Sequence, residues 1–470
     1  MNLILFLIVV CFSTGYSIEY VEELYKWKII QYENPPQSEN SSIGPYPYYV
    51  PEFNSIVQMG YHPQSGLMIV TVPRMRPGVP ITLGAFCVQG NPVGSSPKIW
   101  GFPNYEVNTL EASDYQSSPS ARKWWMNETS YERRYNAYYR PLWQNFNQYT
   151  KPNLRIISTY TVNIDEKCNR AFTLDWGYLV FPEIGTFMIQ KPAILVFDVP
   201  LDGCKTRNFK LIRRIELPDF IINDGTIGFM YMTLDQQQSS NCDDLFIYMG
   251  DMFAHILAVY DYKKDEFWAF RNQPSFLPEK AESNLVDDDF KFYLEMGIVH
   301  LALSYPDKYG DSLAYYLSCS SAAFYSVPTK VLKDKKNVYR KHIGDEFQWV
   351  GYRGCHSQTS AMAVDYTYGV VFFAEPNSSR IRCWNMRKPF KQDNMGVVYQ
   401  SPTPMYVMIV FVDSQGYLWF NKTRIGLIFM SGLPLNIHKV HSAFYRVKVS
   451  EAIKGTICEN NYFPRNYWLH

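Results

Sequence analysis

Asp365-Tyr-Thr-Tyr-Gly369-Val-Val-Phe-Phe373 and Asp413-Ser-Gln-Gly416-Tyr-Leu-Trp-Phe420 are two copies of one local pattern, a turn ending in glycine followed by an apolar run. The glycine supplies the positive φ that a tight hairpin needs, and the run that follows is β-branched and aromatic, as strands prefer. The pattern recurs at His62-Pro-Gln-Ser-Gly66-Leu-Met-Ile-Val70 and at Asp307-Lys-Tyr-Gly310 ahead of Leu313-Ala-Tyr-Tyr-Leu317. Gly369 and Gly416 lie 47 residues apart and Gly310 lies 59 before Gly369. A period of that length, with several strands per unit, predicts propeller blades: one four-stranded sheet cannot cover both of its faces, and radial packing covers them against neighbours. A β-sandwich with coincidental hairpins is the alternative that the pattern leaves open.

Working outward, Ile194-Leu-Val-Phe197, Leu245-Phe-Ile-Tyr248 and His255-Ile-Leu-Ala-Val-Tyr260 read as further short strands bounded by turn residues. Tyr406 to Val412 is an apolar run of strand length. Long 3.6-residue periodicity is scarce, and the best helical pattern is a weak one over Tyr20 to Trp27. Residues 115–150 interrupt the rhythm with Trp124, Trp125, Tyr131, Tyr135, Tyr138, Tyr139 and Trp143 among Arg122, Arg133, Arg134 and Arg140, and read as an aromatic-rich insertion.

Leu3 to Phe12 is an unbroken apolar stretch, followed by Gly15-Tyr16-Ser17. That layout predicts a signal peptide over residues 1–17 and a propeller domain over 18–470, and hence a secreted, extracellular protein with no membrane partner. Cys87, Cys168, Cys204, Cys242, Cys319, Cys355, Cys383 and Cys458 then remain, an even number that predicts full disulfide pairing in an oxidising compartment without choosing the pairs. Asn40, Asn127, Asn377 and Asn421 head glycosylation sequons. The net charge of +1 gives no pull toward nucleic acid. Tyr outnumbers Gly, 37 to 26, the reverse of ordinary usage.

Several blocks resemble the insect Yellow and major royal jelly family. Val70-Thr-Val-Pro-Arg-Met-Arg-Pro-Gly-Val-Pro80 with Thr82-Leu83 is similar to its most recognisable motif, with Met75 where an aromatic is usual. Ser96-Pro97, Phe102-Pro-Asn-Tyr105, Asp165-Glu-Lys-Cys168-Asn-Arg170 and Cys242-Asp-Asp244 with Tyr248 and Asp251 follow in family order. Leu301 to Ser304, Ser357-Gln358, Cys383-Trp-Asn385 and Asp413 with Gly416, Leu418 and Trp419 continue it, while Trp176 and Thr423 depart from the family's residues. The resemblance implies a six-bladed, all-β propeller and a pairing of Cys168 with Cys242. Family members take part in pigmentation and cuticle hardening, convert dopachrome, bind biogenic amines in the central channel, or serve as eggshell and nutritive proteins.

The expected activity is therefore binding of a biogenic amine or related small aromatic in the channel, with Trp176, Gln358, Asn385, Thr423 and Arg424 as ligand residues. An aromatic face for the cation and ring, with a polar group for ring hydroxyls, is what such a ligand needs. Two alternatives stand beside it. A tautomerase-like enzyme needs a proton donor and acceptor tuned near neutrality, for which Asp175, Asp251 and His356 are the nearest residues. A matrix protein of cuticle or eggshell would be cross-linked through tyrosine and would have extracellular matrix as its partner. No cofactor is expected, and no nucleotide, serine-hydrolase or zinc-protease motif occurs. No metal is expected either: His438 and His441 would face opposite sides of a strand, and Asp243-Asp244 and Asp287-Asp288-Asp289 read as solvated loops.

Overall fold

The structure is a computed structural model that describes residues 21–38, 40–43, 46–110, 155–181, 185–222, 228–236 and 241–459. The leader at 1–17, the insertion at 115–150 and the sequon at Asn127 lie outside the described residues.

Six four-stranded antiparallel sheets form a six-bladed propeller. Blade I runs outward from Gln58–His62 through Leu67–Thr71 and Leu83–Cys87 to Trp100–Gly101. The inner strands of blades II to VI are Thr159–Asp165, Thr233–Gln236, Ile298–Leu303, Ala361–Asp365 and Val410–Val412. The inner strands are packed on both faces. Gln58–His62, Ile298–Leu303 and most of Ala361–Asp365 are buried, so they read as continuous runs rather than alternating ones. Outer strands meet water: Leu211–Glu216 of blade II and Gln348–Tyr352 of blade IV each bury only one residue.

The repeated glycines sit where the sequence puts them. Gly66, Gly310, Gly369 and Gly416 each close the turn between the first and second strands of a blade, and all four have positive φ, between 66° and 82°. In blade II, Asn169 takes the same role at φ 50°.

The weak helical pattern at the N-terminus is overturned. Glu22–Trp27 is a strand, and it pairs antiparallel with Ser442–Lys448 as the outermost strand of blade VI. The first and last strands of the ring thus share one sheet. The hydrogen bonds come from residues about 415 positions away, such as Trp27 opposite Ser442, and override a marginal local preference.

Each disulfide staples one blade to the next or to the closing segment. Cys87–Cys204 joins blades I and II, Cys168–Cys242 joins blades II and III, and Cys383–Cys458 ties blade V to the segment after blade VI. Full pairing is not what the structure holds: Cys319 is buried and unpaired, and Cys355 is exposed and unpaired. An even count constrains the number of cysteines, but only blade geometry brings two Cα atoms within disulfide reach.

The tyrosine excess is largely structural among the described residues. Tyr25, Tyr160, Tyr248, Tyr260 and Tyr316 are among the largest fully buried side chains. They fill the space between blades, as flat β-compatible rings do.

Candidate functional site

At the end of the axis where the inner strands begin, four blades converge on one small apolar cavity of about 30 Å³. Met230 and Tyr231 lead into blade III, Val299 belongs to blade IV, Ser360 leads into blade V, and Tyr406 and Met408 lead into blade VI. Met252 and Cys319 stand at the ends of second strands, and the Ile425–Met430 segment closes one side. A short hairpin, Asn284–Asp287 with Phe290–Tyr293, contributes Phe292 to the wall, and Leu294 follows it. Five of the lining residues are methionines, in a chain with only 17. Unbranched thioethers adapt to varied shapes and pack well on aromatic rings.

The cavity's polar groups are few and specific. The Tyr231 hydroxyl donates to the Met408 carbonyl, so a side chain from blade III reaches the opposite blade across the axis. Tyr231 also packs against His300, ring centroids 4.6 Å apart and tilted by 38°, and Gln58 Nε2 of blade I donates to the Met230 carbonyl at 2.7 Å. Ser360 Oγ donates to the Val407 carbonyl at 2.6 Å. Burial holds the Tyr231 and Tyr406 phenols well above their usual range and pushes the Cys319 thiol up to about 12, so all three are neutral at physiological pH. Burial lowers His300 to about 3; its Nδ1 accepts the Met362 amide at 2.8 Å, which requires the neutral ring.

No carboxylate lines the cavity among the described residues. Asp287 stands beside it, its side chain against the lining residue Gly426. Asp287 is fully buried and raised to about 6 by that burial, with Arg424 and the Leu427 amide opposing the shift. Arg424 is engaged three times, with Nε 2.9 Å from Asp287, and with its terminal nitrogens 2.7 Å from Asp288 and 3.0 Å from Asp289. The acidic run is therefore the tip of the hairpin, gripping a cation from blade VI, with Asp287 buried and Asp289 still exposed.

The residues expected as ligand contacts divide. Arg424 and Thr423 flank the cavity without lining it: Thr423 is buried, its amide bonds to the Tyr406 carbonyl at 3.0 Å and its hydroxyl faces Ser55. Trp176 is core beside the site, stacked on Tyr160 at 3.8 Å with Nε1 donating to the Phe229 carbonyl at 3.0 Å. Gln358 donates to Glu282 at the root of the hairpin. Asn385 belongs elsewhere. It sits opposite Val370, at the far end of the blade from the cavity, where it accepts the Arg387 amide and donates to the Cys458 carbonyl.

The proton-transfer residues are also committed. Asp175 accepts the amides of Ile157, Ser158 and Gly177, and Asp251 those of Gly228, Phe253 and Ala254. His356 is exposed on a loop at φ 55°. Asn421, read as a glycosylation site, is fully buried and makes three hydrogen bonds inside the ring, so no glycan fits on it. Asn40 lies on an exposed turn. His441 is buried with Nε2 on the Lys28 carbonyl, while His438 is exposed, and the two share no site. A broader groove of about 370 Å³ between the outer strands of blades II and III holds Arg213, Arg214, Glu216 and Asp265, whose charges pair among themselves.

Sequence reasoning missed the cavity's real lining because its residues come from linkers in four blades. The signal available was the cluster Tyr406 to Met408 ahead of a strand and the methionines preceding blades III and VI.

The Major royal jelly protein family model matches residues 157–458. The chain is 30% identical over 463 residues to the Yellow-related salivary protein ASP2 of Phlebotomus orientalis, covering 98% of this chain and 100% of that one. It is 27% identical over 410 residues to the L-dopachrome tautomerase yellow-f of Drosophila melanogaster, covering 87% and 83%. It is 32% identical over 309 residues to the Yellow-related salivary protein ASP4 of Phlebotomus orientalis, covering 65% and 74%.

Proposed function

This chain belongs to the major royal jelly protein family, and we propose that it is a secreted member that binds a small aromatic molecule in the axial cavity. The observation that carries the reading is the lining of the cavity, five methionines with Tyr231, Tyr406, Phe292 and Phe429 around a space of about 30 Å³. An apolar lining with a few polar groups is typical of small-molecule sites, and the unbranched methionines are the side chains that must move aside to admit a ring. Thioether and ring faces suit a planar catechol or indole, and the two phenols offer hydrogen bonds to ring substituents.

The lining also sets a preference within the class. A protonated amine needs its charge met, and Asp287 is already matched by Arg424. The ring therefore supplies most of the binding energy, and an ammonium contributes only through aromatic faces. The three disulfides and the apolar leader support secretion. A role in cuticle or pigment biology follows from the catechol chemistry of such ligands.

Titration calorimetry with catechol, indole, dopamine and serotonin tests the reading. Catechol and dopamine should bind within about tenfold of each other, and saturating ligand at 100 times Kd should stabilise the fold by ~2.7 kcal/mol. A Tyr406→Leu, Phe429→Leu variant should lose most of that affinity. Absence of heat and of any melting shift across the panel would refute it.

A second reading, dopachrome conversion, is favoured by the relative whose name states that activity. Against it stand the backbone commitments of Asp175 and Asp251. Turnover of dopachrome above a heat-inactivated control, sensitive to Tyr406→Phe, would move the protein to that class.

A further inference from the structure

Two sets of polar contacts to neighbouring blades hold the hairpin that walls the cavity. Its tip, Asp287 to Asp289, grips Arg424 of blade VI. Its outer edge is held by Asn377, which follows the second strand of blade V. Asn377 Oδ1 accepts the Val286 amide at 2.9 Å, and Nδ2 donates to the Asn284 carbonyl at 2.7 Å. Those two backbone groups lie two residues apart on one strand edge, so the side-chain amide pairs with the hairpin as a neighbouring strand would. Asn377 is at the same time the first residue of the sequon Asn377-Ser378-Ser379 and is only partly buried.

The geometry points to a conflict between these two roles: we propose that a glycan on Asn377 and a docked hairpin exclude each other, so that modification of this one residue decides whether the cavity wall is in place. The pairing uses the edge of the amide that carries Oδ1 and the hydrogen on the same side as Oδ1. Glycosylation turns the primary amide into a secondary one, and a secondary amide is planar and trans. In that form the sugar carbon occupies the position on the Oδ1 side, the place of the hydrogen that donates to Asn284. The remaining N–H points away from the strand. Glycosylation therefore removes the Asn284 bond and puts a bulky saccharide where the strand runs. Without Asn377 the edge of Asn284–Asp287 loses two hydrogen bonds, and the hairpin keeps the Arg424 grip, the Leu427 amide on Asp287 and the packing of Leu285 and Phe292. The consequence for ligand entry rests on reading the axial cavity as a binding site; the exclusion itself does not.

The test combines glycopeptide mapping with hydrogen exchange of residues 284–293 in full-length protein secreted from insect cells. Three forms are compared: wild type, Ser379→Ala, which abolishes the sequon and keeps the amide, and Asn377→Gln, which abolishes both. Ser379→Ala should show a protected Val286 amide, and Asn377→Gln should exchange at least tenfold faster there. Wild-type molecules that carry the glycan should exchange like Asn377→Gln, and those without it like Ser379→Ala. A glycan found on Asn377 together with protection equal to Ser379→Ala would overturn the proposal, as would full protection in Asn377→Gln. Since no ligand enters these measurements, their failure is distinguishable from failure of the binding reading.

Discussion

Replacing Asn421 with alanine separates a glycosylation site from a structural bracket. Its Nδ2 donates to the Val57 carbonyl at 2.8 Å, and its Oδ1 accepts the amides of Met408 at 3.1 Å and Ile409 at 3.0 Å. One side chain thus ties the second strand of blade VI to the lead-in of its own inner strand and to blade I, where the ring closes. It also sets the Met408 peptide, whose carbonyl receives the Tyr231 hydroxyl across the axis. Alanine leaves three buried backbone groups without partners. At about 1–3 kcal/mol each, relieved in part by whatever water reaches them, the loss is ~3–6 kcal/mol. With an unfolding entropy of about 2.1 cal/mol/K per residue, a chain of 470 residues loses ~1 kcal/mol of stability per degree, so Tm should fall by ~3–6 °C. Thr423→Val is the control: it abolishes the sequon but touches only the Ser55 hydroxyl, 3.3 Å away, and should cost about 1 kcal/mol. Calorimetric melting of the three proteins, with glycopeptide mapping of wild type, gives the answer. A glycan on Asn421 in folded protein, or equal losses in the two variants, would refute the bracket.

Three further outcomes follow from the same structure. Among the described residues thiol titration should find two free cysteines, Cys355 reacting in native protein and Cys319 only after unfolding, because burial holds its thiol up to about 12. Arg424→Met should cost ~1–2 kcal/mol at pH 7, because Asp287, already at about 6, takes up a proton rather than stay buried and uncompensated. An acid whose folded pKa is raised loses stability as pH rises through that pKa, so the deficit should shrink at pH 5, where Asp287, already at about 6 beside Arg424, is protonated. His300 has the opposite sign: its folded pKa of about 3 lies below the unfolded value, so its contribution is complete above pH ~6.5 and is lost toward pH 3 at ~1.4 kcal/mol per pH unit. His300→Gln should remove about one proton from the acid slope of stability, measured by denaturant melts between pH 4 and 7; an unchanged slope would show that the ring is not buried neutral.

The local pattern of the chain determines the blades. A glycine turn followed by a β-branched or aromatic run is a short-range instruction, and at Gly66, Gly310, Gly369 and Gly416 the positive φ that it predicts is the φ that forms. Adjacent repeats then require radial packing, because no single sheet covers its own faces. Pattern cannot decide what depends on partners far along the chain. Glu22–Trp27 became a strand because Ser442–Lys448 offered it an edge. Asn385 and Thr423 look equivalent as polar residues near strand ends, yet one lies at the far end of blade V and the other beside the cavity. Asn377 and Asn421 carry the same sequon grammar, and only burial distinguishes the partly exposed one from the one locked in the ring. The cavity is the extreme case: its wall is assembled from linkers of blades III to VI and one hairpin, so no stretch of sequence contains it. Strands follow from neighbours a few residues apart, whereas a site on a propeller axis exists only once the ring is closed.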